Sequence, residues 1–283
     1  MARAPLNTIR TVAELRRQID FWRGAGQRIG LVPTMGALHE GHLSLVRAMG
    51  DVADKTVVSI FVNPAQFAPH EDFDEYPRNE SDDAEKLRET AGDLIYAPLQ
   101  TEMYPGGFAT GVSVGAVADG LESDTRPHFF GGVATVVSKL LIQCWPDLAI
   151  FGEKDYQQLQ VIRRMTRDLN LPVEILGGAI VREADGLAMS SRNAYLSPEE
   201  RVVAGQLNKI MWSVASRARA SGDLEGSTAQ GCADLKAAGF DAVDYLEIRD
   251  ADSLATLQRL SREARLLAAV KIGKTRLIDN MPV

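Results

Sequence analysis

Thr56-Val57-Val58-Ser59-Ile60-Phe61-Val62 is an almost unbroken apolar run, and no other stretch limits the possible folds as much. A strand with one wet face alternates apolar and polar residues. One without alternation is buried on both faces, as in a parallel sheet covered by helices on either side. The flanking sequence agrees. Ile29 to Val32 reads as a second strand and Gly41 to about Ala53 as a helix between the two, giving strand, helix, strand with a right-handed crossover. Upstream, Thr11-Val12-Ala13-Glu14 is a capping-box pattern, and Val12, Leu15, Ile19 and Trp22 recur at helical spacing until Gly24 and Gly26 end the helix. Downstream the alternation continues with a charged helix from Ser81 to Thr90, a strand at Asp93 to Ala97, a helix from Val133 to Trp145, a strand at Leu148 to Phe151, a helix from Lys154 to Leu169 and a strand at Val173 to Leu176. This pattern predicts an α/β protein on a doubly wound, Rossmann-like parallel sheet, with ligands bound just past the carboxyl ends of the strands.

After Leu176 the texture changes. A polar turn near Asp185-Gly186 precedes a long helix opened by Ser197-Pro198-Glu199-Glu200, which combines an N-cap serine, proline at the first helical position and glutamate at the third. Two strand-like runs follow, Val243 to Arg249 and Arg265 to Ile272, and the chain ends near Leu277 to Asn280 without further alternation. A second, smaller α+β domain is expected, with residues 1–178 forming the first domain and 179–283 the second.

Composition narrows the partners. The chain has 283 residues, 45% hydrophobic and 24% charged, with a formal net charge of -7. That balance disfavours a nucleic-acid or anionic-membrane surface, both of which call for a dense positive field, but it leaves room for a local basic pocket. Cys144 and Cys232 lie far apart and lack zinc-like spacing to another Cys or His; Cys144 reads as buried filler in an apolar helix. Met1 to Arg10 lacks the apolar core of a secretory signal, and the longest apolar stretch, Val133 to Trp145, is interrupted by Ser138, Lys139 and Gln143. A cytoplasmic protein with reduced thiols is the expectation.

The chemistry should lie after the strands. Pro33-Thr34-Met35-Gly36-Ala37-Leu38-His39-Glu40-Gly41-His42 connects a strand to a helix, and imidazoles at i and i+3 share one side of the helix start, where phosphate is favoured. Neutral or protonated, two such rings could donate to phosphate oxygens, with Gly41 admitting a ligand to the backbone. An isolated pair would better suit capping or surface histidines; that two of the 4 histidines fall at a strand end favours the site. The next strand ends in Asn63-Pro64-Ala65-Gln66, whose amides suit an uncharged polar group, or simply a proline-containing turn. A third strand end, Gly152-Glu153-Lys154-Asp155 followed by Gln158, offers close approach, a phosphate counter-charge and a ribose acceptor. Met189-Ser190-Ser191-Arg192 reads as a phosphate clamp on a loop, or as an ordinary polar turn.

His39-Glu40-Gly41-His42 resembles the His-x-Gly-His signature of the nucleotidyltransferase superfamily, which includes class I aminoacyl-tRNA synthetases and several adenylyltransferases. The four segments taken together, Leu31 to Val46, Val57 to Phe67, Gly132 to Gln158 and Val181 to Leu196, with Arg276 to Asn280 at the end, resemble the pantothenate synthetase (pantoate–β-alanine ligase) family. The resemblance implies that Met35, Gly36, Ala37, Leu38, His39, Glu40, Gly41 and His42 hold ATP, with His42 the acid assisting phosphate chemistry and His39 beside it. It implies that Gly152, Glu153, Lys154 and Asp155 contact ATP, and that Val181 and Met189, Ser190, Ser191 and Arg192 close over the nucleotide. Gln66 and Gln158 would hold pantoate, with Asn63 nearby and Gln66 also next to β-alanine. His39, His42, Lys154, Arg192 and Mg²⁺ would neutralise the phosphate charge. A homodimer is also implied. In one place the sequence departs from the family: in Arg126-Pro127-His128-Phe129-Phe130-Gly131-Gly132, Phe129 stands where members often carry a histidine, and His128 receives no role.

The expected reaction is ATP-dependent condensation of pantoate with β-alanine through a pantoyl adenylate. Its rivals are another adenylyltransferase of this type, releasing a dinucleotide, and a non-catalytic nucleotide-binding module. An aminoacyl-tRNA synthetase is disfavoured by the acidic balance and the lack of an obvious anticodon-binding region.

Overall fold

The computed structural model describes residues 6–67, 73, 78–260 and 263–283; the first five residues of the N-terminal segment discussed above lie outside the described residues. In chain order come β1 (Asn7–Ile9), α1 (Val12–Gly24), β2 (Ile29–Thr34), α2 (Glu40–Gly50), β3 (Lys55–Ile60), α3 (Glu80–Leu87), β4 (Leu94–Tyr96), the short helices α4 (Gln100–Met103) and α5 (Glu122–Thr125), α6 (Phe129–Cys144), β5 (Leu148–Gly152), α7 (Tyr156–Asp168) and β6 (Glu174–Gly178). These strands form one 6-stranded sheet in the order β1-β4-β3-β2-β5-β6, with every pairing parallel. The chain runs outward from β2 through β3 to β4, then returns to the other side of β2 for β5 and β6. The gap between β2 and β5 is thus the switch point at which a doubly wound sheet opens a crevice.

Burial explains the apolar run. Val57 faces the core formed with α1, α6 and α7, while its neighbour Val58 faces the core formed with α2 and α3; both are 0% exposed. The same division sends Leu31 to one side of the sheet and Val32 to the other. At its start α1 carries the expected capping box, with the Thr11 side chain accepting from the Glu14 N–H and the Glu14 carboxylate accepting from the Thr11 N–H.

The remainder comprises α8 (Pro198–Ala204), α9 (Leu207–Ser221), α10 (Leu224–Ala237) and the strands β7 (Ala242–Asp250), β8 (Ala264–Ile272) and β9 (Thr275–Pro282). The three strands make an antiparallel sheet, β7-β8-β9, backed by α9 and α10 around a separate apolar core. The protein is therefore a doubly wound α/β sheet joined to a smaller α+β unit.

Several boundaries differ from the sequence expectation. The long helix expected from Ser197 is two helices that break at Gly205-Gln206, where a side chain on Gly205 would meet the Asp185 carboxylate at 2.5 Å. α6 begins at Phe129 rather than Val133, so Gly131-Gly132 lies within its first turn. A Cβ at Gly132 would come within 2.2 Å of the Ala65 carbonyl oxygen, so glycine is the residue that lets α6 press against the turn after β3. No helix among the described residues is long and apolar enough to cross a membrane.

Candidate active site

The turn from β2 into α2 is backbone held under tension. Gly36 and Ala37 are successive left-handed residues, with φ of 82° and 51°. The Asp83 carboxylate of α3, 2% exposed, stabilises them by accepting from the Ala37 N–H at 2.9 Å and the Leu38 N–H at 2.7 Å. Lys86, one turn along α3, donates to the Leu38 carbonyl at 2.8 Å. The turn thus delivers His39 in a fixed place as the N-cap of α2.

There the two histidines form a reciprocal cap. His39 Nδ1 accepts from the Gly41 N–H at 3.2 Å, and His42 Nδ1 accepts from the His39 N–H at 3.4 Å, with ring centroids 4.1 Å apart. Serine or threonine with glutamate usually plays this part. Because both Nδ1 atoms accept, each neutral ring carries its proton on Nε2 and has that N–H to offer to the cavity it lines. Burial, then the Lys154 ammonium, lowers His39 from 6.5 to about 4. Burial, then His39 and Lys154, lowers His42 to about 3. Both rings are therefore neutral near pH 7, each with an N–H to offer. At Gly41, which lines the cavity, a Cβ would also meet the His39 ring at 2.9 Å, so glycine leaves room for the capping imidazole as well.

After β3, Asn63 caps a 3-10 turn, Pro64–Gln66. Its amide is fully engaged by the protein: Oδ1 accepts from the Tyr104 hydroxyl at 2.7 Å and the Ala65 N–H at 3.3 Å, while Nδ2 donates to Gln66 Oε1 at 3.1 Å and the Gly132 carbonyl at 3.2 Å. Asn63, 1% exposed, is part of the cavity lining and also orients Gln66, whose Nε2 reaches Met35 Sδ at 2.8 Å.

β5 ends in Gly152 and a 3-10 turn, Glu153–Asp155. Lys154 and Asp155 line the cavity with Nζ and Oδ2 3.8 Å apart. Gln158 lines it too, whereas the amide of Gln157 is occupied by the Val117 and Gly120 carbonyls, each at 3.2 Å. Glu153 points away, toward Arg265 at 3.0 Å.

The second unit supplies the opposite wall. Arg182 pairs with Ala188 in an antiparallel bridge, and the Met189 N–H donates to the Val181 carbonyl at 2.9 Å. Ser190 caps the turn Ser191–Tyr195, and Glu183 braces it from behind by accepting from Asn193 Nδ2 at 2.7 Å and Arg201 at 2.6 Å. Val181, Met189, Ser190, Ser191 and Arg192 all face a cavity of about 790 Å³ shared with Met35, His39, Gly41, His42, Gln66, Gly152, Lys154, Asp155 and Gln158.

Five expected residues stay off this wall. The Ala37 and Leu38 N–H groups are taken by Asp83, Gly36 shapes the turn behind them, Glu40 pairs with Arg47 on the surface, and Glu153 pairs with Arg265. Conversely, sequence reasoning missed Asp83, Lys86, Tyr104, Glu122, Arg126 and Arg276. Arg276 of β9 binds both Glu122 carboxylate oxygens at 2.8 Å and Asp244 at 2.7 Å, and Glu122 also meets Arg126 at 3.2 Å. Phe129 lies under the Arg126 guanidinium, 4.0 Å from its ring centroid, while His128 makes no side-chain cap on α6. Among the described residues no group of three His, Cys, Asp or Glu could hold a metal ion.

A doubly wound sheet, with a histidine-capped helix and a lysine at its switch point and a serine-arginine turn opposite, defines the class: an α/β protein whose cavity carries groups suited to phosphate. A family model described as pantoate-beta-alanine ligase matches residues 7–282. Pantothenate synthetase of Caulobacter vibrioides is 56% identical over 278 residues, covering 97% of this chain and 98% of that protein. The pantothenate synthetase of Paramagnetospirillum magneticum is 54% identical over 278 residues and 98% of each chain. A crystal structure of pantothenate synthetase from Thermus thermophilus matches with a TM-score of 0.92 at 44% identity, over 98% of this chain and 99% of that one. Pantoate-beta-alanine ligase from Francisella tularensis, complexed with beta-gamma ATP and beta-alanine, matches with 0.79 at 31% identity, over 98% and 97%. The chain belongs to the pantoate-beta-alanine ligase family.

Proposed function

We infer that this enzyme condenses (R)-pantoate with β-alanine at the expense of ATP, forming pantothenate, AMP and diphosphate through a pantoyl adenylate. One observation carries the reading: the reciprocal His39–His42 cap, with two neutral donors, shares a cavity with paired glutamines and a serine-arginine turn. A carboxylate resists attack by an amine because its oxygen leaves poorly. In the first step a pantoate carboxylate oxygen bonds to the α-phosphorus while the bond to the β-phosphate oxygen breaks and diphosphate departs. In the second the β-alanine nitrogen bonds to the acyl carbon, AMP leaves with the former carboxylate oxygen, and the nitrogen loses a proton.

Neither step needs a covalent protein nucleophile; in-line placement and charge stabilisation suffice. We assign Met35, His39, Gly41, His42, Gly152, Lys154, Asp155, Val181 and Met189 to Arg192 to the nucleotide, and Gln66 and Gln158 to pantoate. The Nε2–H groups of His39 and His42, with Lys154 and Arg192, stabilise charge spreading over phosphate oxygens. Of the acids lining the cavity, Glu122 and Asp244 are matched to Arg276, Asp279 to Arg182 and Asp155 faces Lys154, and these do not make a cage for Mg²⁺. We place that ion on the phosphate oxygens and assign no step to it. Residues 179–283 act as the lid that keeps water from the mixed anhydride. Work in the cytoplasm as a homodimer completes the proposal, and light scattering checks the dimer.

The test is AMP release with pantoate and β-alanine each omitted in turn. Rapid AMP formation should require pantoate, and pantothenate should require both. A dinucleotide product would make the protein an adenylyltransferase, and ATP binding without AMP formation would make it a binding module.

A further inference from the structure

We propose that Tyr104 is a positioning residue for the pantoate end of the cavity: through Asn63, its hydroxyl holds Gln66 with the amide NH₂ turned toward substrate. The proposal rests on the ligase reading above. The backbone decides which way Asn63 faces, since the Ala65 N–H requires an acceptor at one end of the amide and the Gly132 carbonyl a donor at the other. Nδ2 therefore donates to Gln66 Oε1, which ties that oxygen back to the protein and leaves Gln66 Nε2 outward, where it meets Met35 Sδ. The cavity receives an N–H donor, matched to the lone pairs of a hydroxy acid. The reverse orientation would set an amide oxygen against a carboxylate.

The two backbone bonds that orient Asn63 are long, 3.3 and 3.2 Å, whereas the Tyr104 hydroxyl reaches Oδ1 at 2.7 Å. Tyr104 is thus the short strut of the relay. Its ring is fixed between Phe61 and Phe108, at centroid distances of 6.2 and 5.1 Å, and its N–H donates to the Gln100 carbonyl at 2.7 Å. Burial raises the hydroxyl to about 12, so it remains a donor across the working pH range. Tyr104 is not part of the cavity wall, so it acts through Asn63.

Tyr104→Phe removes one oxygen and keeps the ring. Lost positioning should raise the pantoate KM by roughly tenfold, about one charge-assisted hydrogen bond, with the ATP KM within about twofold of wild type. Preference for pantoate over an analogue lacking the 2-hydroxyl should fall, and the Gln66 side-chain amide resonances should shift in ¹⁵N spectra. An unchanged pantoate KM, or an equal rise in both KM values, overturns the proposal while wild-type turnover leaves the ligase reading standing. Absence of wild-type turnover with pantoate removes both. Should Tyr104→Phe fail to fold, Asn63→Asp sets an acceptor against Gln66 Oε1: selective loss of pantoate affinity supports the relay, and unchanged affinity overturns it.

Discussion

His39 and His42 are held neutral by burial and by a neighbouring ammonium, and this sets how the protein responds to acid. Each ring binds a proton near 6.5 when unfolded and only near 4 or 3 when folded, so between those values the unfolded chain holds more protons. Stability should therefore fall as pH drops from 6.5 toward 4. Urea unfolding across this range should show a shallower decline in a His39→Asn/His42→Asn double variant than in wild type; equal slopes would mean the rings protonate freely in the folded state. Gly41→Ala would drive a methyl group into the His39 ring, and pyrophosphate exchange should drop by about tenfold or more with only about 1 kcal/mol lost in stability. At this scale the sequence displayed His39, His42 and Lys154 just after strands and Arg192 on a loop, because spacing and chemistry mark them. It did not display Asp83, whose part depends on Leu38, 45 residues away, and it displayed Asn63 only as a group near substrate, because the bond that orients it reaches the Gly132 carbonyl 69 residues away.

Helix α3 looks like a charged surface helix in sequence, yet one of its acids is the clamp on the turn before α2. Asp83→Ala would leave two buried N–H groups without acceptors and a left-handed Ala37 without support, a loss of about 2–4 kcal/mol. Chemical denaturation would measure it, and a change under about 0.5 kcal/mol would show that the turn holds itself. The elements legible in sequence were those with a strong period or a doubly buried run, such as α1 and β3. Three-residue β1 carries too few residues for a pattern, and α10 mixes small and polar residues without a clear apolar stripe, so neither stood out. At α6 Gly132 serves close packing, which only the tertiary contact reveals.

Across the whole molecule, the cavity depends on two sheets meeting. Glu122, on the first unit, anchors Arg276 of β9, and Asn280 of β9 donates to the Glu153 and Lys154 carbonyls at 2.8 and 2.9 Å. Glu122→Gln would leave Arg276 with Asp244 alone as its carboxylate partner, and about 2–3 kcal/mol should be lost, read as a lower urea midpoint together with a raised ATP KM. An unchanged midpoint would show that the pair does not join the units. The assembled cavity should activate pantoate as an adenylate before the amine arrives. Exchange of labelled pyrophosphate into ATP without β-alanine tests this: it should occur with pantoate and vanish without it. Pantothenate formation at full rate with no pantoate-dependent exchange would contradict the stepwise adenylate.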